Sequence, residues 1–184
     1  MPLEPPQLLR RKLFYQGRKF AFEVNRYRLP NKVEGELECI RHPGGALVVP
    51  MTDSGEFVVL RQYRFTVQRR ILEFPAGTIE QGEDPSETAE REVQEETGFA
   101  AKEIKKIGEI LLAPGYSDEV IHIFVATGLT KLDLPPAQDE DEDIEVLLMS
   151  PPEIEAAIAQ GNLSDAKSIS AYLMVQSFLN PSAE

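Results

Sequence analysis

The 184-residue chain predicts an α/β layered domain in which strands are mixed with three helices. Two observations carry this. Short apolar runs, separated by Gly, Pro, Asn and Asp, fill the first half and recur beyond the middle. Three cap signatures, at Asp84, Ser150 and Asp165, each open a segment with helical apolar spacing. A hydrophobic content of 42% suits one domain with a real core and an appendage.

The start of the chain holds prolines and an acid ahead of Arg10, Arg11 and Lys12, with no apolar stretch, so it does not read as a secretory signal. The basic triplet is expected in a solvated turn or at a strand edge. Residues 20–24 and 36–40 read as strands on either side of the breaker-rich Leu29-Pro30-Asn31-Lys32. After Pro43-Gly44-Gly45, residues 46–49 and 57–60 flank the turn Asp53-Ser54-Gly55 and are expected to form a hairpin. Further strands are expected at 71–74, 105–112 and 120–126, the last too apolar for a surface loop. His122 falls inside that strand and His42 in a loop; neither has a second histidine or a cysteine at metal-ligand spacing, so both read as structural.

Asp84, Pro85 and Glu87 make an N-cap, a first-turn proline and a capping-box partner, and Gly98 is a natural stop. Ser150-Pro151-Pro152-Glu153 repeats the box ahead of Ile154, Ala157 and Ile158, and Gly161 ends that helix. Asp165 caps the last helix, whose Ile169, Tyr172, Leu173 and Leu179 are expected to face inward.

The first helix carries more acid than its stability favours. Glu92 and Glu96 are four apart and Glu92 and Glu95 three apart, so these carboxylates share one face. Like charges at that spacing cost roughly 0.2–0.5 kcal/mol, and the end of a helix prefers cations. Arg91 can relieve part of this through Glu87 or Glu95, each four residues away. Acids held against both effects suggest an absent cation, and hard oxygen donors suit Mg²⁺ or Mn²⁺.

Gly77, then Glu83, then Arg91-Glu92-Val93-Gln94-Glu95-Glu96-Thr97-Gly98-Phe99 resembles the Nudix box at every fixed position. The resemblance implies a mixed β-sheet sandwiched between helices, preceded by a small N-terminal β-region at 1–42 ahead of a Nudix domain at 43–184. It also implies a hydrolase of nucleoside diphosphates linked to another moiety, dependent on divalent cations, Mg²⁺ first and Mn²⁺ second. Glu92, Glu96 and the backbone carbonyl of Ala76 would then be metal ligands. Glu95 would be a catalytic acid that shares in metal binding or stands beside the ligands, Arg91 would orient the carboxylates, and Glu83 would be a further outer-sphere or metal-linked acid.

Three features outside the box resemble the ADP-ribose pyrophosphatase branch. Pro114 stands sixteen residues beyond Gly98, within Ala113-Pro114-Gly115-Tyr116-Ser117-Asp118-Glu119. By this resemblance Pro114 marks the substrate pocket, Glu119 contacts the terminal ribose and Tyr116 is a further candidate. The acidic run Asp139-Glu140-Asp141-Glu142-Asp143 resembles the branch's catalytic loop, with Glu140 as the base for the attacking water and Glu142 as a metal-linked acid. Arg61, Arg64, Arg69 and Arg70 crowd ten residues of an acidic chain, and guanidinium forks bind phosphate. Arg64 matches the strand arginine near the diphosphate, whereas Arg61 points to the opposite strand side from Gln62. Glu73, in Leu-Glu-Phe-Pro-Ala-Gly, alternates with apolar neighbours and is expected to face the site. The segment at 161–169 also resembles this branch, with Ser168 where threonine is more usual. Relatives of this kind exchange the N-terminal region between subunits and stack aromatics on adenine, which implies a homodimer and makes Phe22 and Tyr27 candidates.

A net charge of −12 argues against a nucleic-acid partner. It also opposes a diphosphate unless bound cations and local arginines offset it. No stretch approaches the roughly 18 apolar residues of a membrane span. The single cysteine, Cys39, excludes an internal disulfide, reads as strand packing and, with the other features, points to the cytoplasm. The expected reaction is Mg²⁺-dependent hydrolysis of ADP-ribose to AMP and ribose 5-phosphate. The alternatives are another nucleotide sugar such as GDP-mannose, or a non-catalytic module that senses ADP-ribose.

Overall fold

A computed structural model of the chain describes residues 5–137 and 143–180. Its contacts separate into two compact units, one holding the chain up to Gly44 with Leu111–Val120, the other Gly45–Ile110 with the chain from Ile121 onward.

In the first unit, β1 (Gln7–Gln16), β2 (Ala21–Arg28) and β3 (Glu34–Arg41) form an antiparallel sheet in chain order. Arg10, Arg11 and Lys12 lie exposed on β1, an edge strand. The expected break at Pro30 is a turn completed by Lys32, whose φ is 68°. Cys39 is half-buried in β3, and burial raises its thiol pKa. The 113–117 turn is tied to β3: Ile40 N–H donates to the Tyr116 carbonyl (2.8 Å) and Arg41 pairs with Asp118 (3.0 Å).

The second unit is built around β4 (Gly45–Pro50), buried at every residue. It lies beside β10 (Val120–Thr127) in parallel, register Leu47 to Ile123, and antiparallel to β7 (Ala76–Thr78). With β9 (Glu103–Leu111) the sheet order is β7-β4-β10-β9. One face of this sheet, Ala46, Val48, Phe124 and Ala126, packs on Ala89 and Val93 of α1 (Pro85–Thr97). The other face, through Leu47, Val49, Ile121 and Ile123, packs on Ile154 of α2 (Pro151–Ala159) and Tyr172 of α3 (Ala166–Leu179). The mixed sheet between helices is therefore present, and strands buried on both faces explain the unbroken apolar runs.

The hairpin expected between 46–49 and 57–60 does not form. The chain does turn at Gly55, but β5 (Phe57–Arg64) enters a second sheet, ordered β12-β5-β6, with β6 (Arg69–Glu73) and β12 (Ile144–Met149). Met51, just past β4, bridges Phe57 at the start of β5, and Thr52 N–H donates to the Glu56 carbonyl (2.9 Å). Both are central strands with apolar residues on both faces, so each fills both edges from elsewhere. Strand β12 was not expected, nor were the short β7, β8 (Phe99–Ala100) and β11 (Thr130–Lys131).

The caps form as expected. Asp84 accepts from Ser86 N–H (2.9 Å), Glu87 accepts from Asp84 N–H (2.9 Å), and Gly98 closes α1 with φ 73°. On α2, Glu153 accepts from Ser150 N–H (2.8 Å), and Ile154 and Ala157 are buried. The inward face of α3 differs from expectation: Tyr172 is buried with Ser168, Ala171 and Val175, while Leu173 is 59% exposed and Leu179 is also exposed. Residue 173 lies a hundred degrees around the helix from Tyr172, off the 168–171–172–175 stripe. Burial and Glu155 push the Tyr172 phenol up to about 12.

Candidate active site

The acid face of α1 is buried, not solvated: Glu92 is 7% and Glu96 2% exposed. What packs over it is the turn between β6 and β7. Ala76 N–H donates to Glu96 Oε2 (2.9 Å), and β7 is fixed by pairing with β4, Leu47 to Ala76 and Ala46 to Gly77. A Cβ on Gly77 would stand 1.7 Å from Glu92 Oε1. The turn can approach the carboxylate only because residue 77 has no side chain.

Arg91 is the cation that holds the cluster. Its Nη1 donates to Glu92 (2.6 Å) and Glu95 (3.2 Å), and its Nε to Glu83 (3.3 Å). Burial works against its charge, but Glu83 and Glu92 outweigh it and hold its pKa above the usual guanidinium value. Of the two pairings expected for Arg91, the one with Glu95 forms, and Glu83 takes the place of Glu87, which turns back to cap Asp84. Burial raises the Glu83 carboxyl, yet Glu80 N–H, Arg91 and Thr88 bring it below the ordinary range.

Two buried carboxylates beside a backbone turn make an all-oxygen donor set with a fitted cradle at Gly77, and this suits a hard divalent cation. Among the described residues no three acidic, histidine or cysteine side chains form a ready-made cage. Such a cage is not needed for Mg²⁺, which keeps several waters and takes one or two protein carboxylates.

Arg64 ends β5 in the same unit. Its Nε and Nη2 grip the two oxygens of Glu73 (2.6 and 3.0 Å), and the charges of Glu73, Glu96 and Asp165 overcome burial to raise its pKa. Glu73 is 1% exposed and takes a second cation, Lys167 Nζ, at 2.6 Å. Arg61 lies outside, paired with Glu145 (3.2 Å), and Gln62 is buried, as strand alternation requires. Arg69 donates to Ser164 (3.1 Å), while Arg70 binds the carboxylate and carbonyl of Asp143, where the acidic run enters β12.

Glu92, Glu95, Glu96, Arg91 and Ala76 are therefore gathered at one place. Pro114 and Glu119 belong to the first unit: Pro114 lies in the exposed 113–117 turn, and Glu119 faces His42 at 3.5 Å. Phe22 and Tyr27 occupy opposite faces of β2 in that unit. His122 faces Glu109 on β9 at 3.4 Å. Glu140 and Glu142 lie outside the described residues. Lys167 was missed as a functional candidate. The signal for it was present: a lysine in the first turn of a helix opposes the dipole, which points to a nearby acid.

The NUDIX domain pattern matches residues 41–172. The chain is 34% identical over 174 residues to an ADP-ribose pyrophosphatase of Bacillus subtilis, covering 95% of this chain and 94% of that one. It is 35% identical over 167 residues to a methanol dehydrogenase activator of Bacillus methanolicus, covering 90% of each. A crystal structure of an ADP compounds hydrolase superposes with a TM-score of 0.83 at 24% identity, covering 98% of this chain and 97% of that one.

Proposed function

The chain belongs to the Nudix hydrolase family, and we propose that it hydrolyses the diphosphate of ADP-ribose, with Mg²⁺, to AMP and ribose 5-phosphate. The observation that carries this reading is the buried Glu92–Glu96 face locked against the Gly77 turn, with the guanidinium of Arg64, held by Glu73, in the same unit. The ADP-ribose pyrophosphatase relative supports the choice of substrate.

The Ala76 carbonyl, Glu92 and Glu96 would hold the cation, with Glu142 as a further ligand and Mn²⁺ as a substitute. When bound, it neutralises diphosphate charge and makes water more acidic. The chain's own residues do the rest. Arg91 fixes the rotamers of Glu92 and Glu95, so the carboxylates are aimed before substrate arrives. Arg64 binds a phosphate oxygen. Glu140 takes the proton of the water that attacks phosphorus, the P–O–P bond breaks, and the leaving phosphate departs as the second monophosphate. Pro114 and Glu119 shape the pocket for the terminal ribose.

The working form is a cytoplasmic homodimer, with the 1–42 region exchanged between subunits. Exposed Leu13, Phe14 and Tyr15 on edge strand β1 supply apolar surface for it. Among the described residues no helix is long and apolar enough to cross a membrane.

Chromatography of products from ADP-ribose and from GDP-mannose, with and without Mg²⁺, tests the reading. Metal-dependent AMP and ribose 5-phosphate, with ADP-ribose preferred, is the expected result. Preference for GDP-mannose would keep the chemistry and discard the substrate; ADP-ribose binding without turnover would mean a sensor.

A further inference from the structure

The Arg64–Glu73 pair does not stand alone. Glu73 Oε2 also accepts from Lys167 Nζ (2.6 Å), and Lys167 in turn donates to Asp165 Oδ2 (2.9 Å). Asp165 is the N-cap of α3, accepting from Ser168 N–H (3.0 Å) and Ser168 Oγ (2.6 Å). Ser168 Oγ accepts in turn from Phe74 N–H (2.9 Å), one residue beyond Glu73. The first turn of α3 is thereby bolted to the strand end that leads into Pro75-Ala76-Gly77.

Charge counting gives this chain of contacts a purpose beyond cohesion. Glu73 is almost fully buried, so its charge needs compensation, and Arg64 alone would supply it. A guanidinium fully committed to one carboxylate has little net attraction left for a phosphate. With Lys167 bound, 14% exposed and at an unfavourable place on the helix dipole, Glu73 shares its charge between two cations. Arg64 keeps its fork fixed through Nε and Nη2 and retains positive potential at Nη1.

We infer that Lys167 is a positioning residue for the hydrolysis: through Glu73 it keeps Arg64 both oriented and electropositive toward the substrate diphosphate. Glu73 in this scheme is the link between the two cations and not a substrate contact. The inference rests on the reading of Arg64 as a phosphate-binding residue, and the KM of Arg64→Ala alone, expected to rise, tests that reading separately.

The experiment is a double-mutant cycle on KM and kcat for ADP-ribose with saturating Mg²⁺, in the full chain. Lys167→Met is expected to raise KM about tenfold and to leave kcat within about twofold, as fits the coupling of residues in one ion-pair network. Lys167→Arg should return KM to near the wild-type value. In an Arg64→Ala background, Lys167→Met should add nothing further to KM. Because removing one partner from a buried pair can unfold a protein, Lys167→Gln is made in parallel; it retains an amide donor on a slightly shorter side chain and removes the charge, and its expected KM is also raised. An unchanged KM in a folded, charge-free variant, even one with a lowered melting temperature, would reduce Lys167 to a structural residue. Equal, additive losses in both backgrounds would show that it does not act through Arg64. Either result overturns the inference.

Discussion

A methyl group on Gly77 would collide with Glu92 at Oε1, Cδ and Cγ, all atoms of one side chain. A side-chain end can move more readily than backbone, so Gly77→Ala should leave the protein folded, at a cost of about 1–3 kcal/mol, and displace Glu92. Turnover is expected to fall by about a hundredfold, the size of effect seen when metal-supporting residues are moved. Gly108→Ala is the matched control. Its methyl meets the flexible end of Met174 at 2.3 Å, away from the acids, and activity should persist. Steady-state rates with circular dichroism on both variants read the contrast. Glu96→Gln should likewise lose about a hundredfold or more of metal-dependent turnover with the fold retained, because the amide oxygen can still accept from Ala76 N–H but the charge is gone. At this scale the box acids were legible in the sequence, since their spacing conflicts with helix stability. Arg91's choice of Glu83 over Glu87 was not: both are in reach, and the cap had claimed Glu87.

Beside the Lys167–Glu73 pair, α3 is tied to the residue just beyond β6 by a buried hydroxyl. Ser168 is fully buried, and its Oγ is the acceptor for Phe74 N–H. Ser168→Ala would leave that N–H without its partner and should cost about 1–3 kcal/mol, read as a lower urea midpoint at unchanged slope. Ser168→Thr, which keeps the hydroxyl, should lose less. At the start of α1 the Asp84 carboxyl is held below the ordinary range by the hydroxyl and N–H of Ser86. Its contribution is therefore fully present above the ordinary aspartate pKa and disappears as pH falls through the lowered value. Asp84→Asn keeps an acceptor for the cap but cannot titrate. Its melting temperature should depend less on pH on the acid side than that of the wild type, in melts from neutral pH downward. Helix ends were readable because caps are local chemistry. Strand pairing was not, because the Asp53-Ser54-Gly55 turn announces a reversal without naming the partner. The solvent side of α3 was misjudged for a related reason: Leu173 and Leu179 are apolar, but only geometry decides which apolar residues find a neighbour.

Over the whole chain, a net charge of −12 makes both the folded state and the approach of a diphosphate work against self-repulsion. Two effects of added salt must then be separated. Monovalent salt screens the general field, shortening its reach to about 10 Å at 0.1 M, but it hardly reaches the buried Glu92 and Glu96. A divalent cation bound at those residues stabilises by mass action, about 2.7 kcal/mol at a hundred times its dissociation constant. Melting the protein in MgCl₂ and in NaCl of equal ionic strength should therefore give a larger upward shift with MgCl₂. EDTA should remove that excess. In Glu96→Gln the excess should shrink toward the NaCl value, whatever the variant's own starting stability. Equal shifts from both salts in the wild type would mean that Mg²⁺ acts only on the overall field. The acid face of α1 would then be a charged surface covered by a turn, and the proposed chemistry would lose its site.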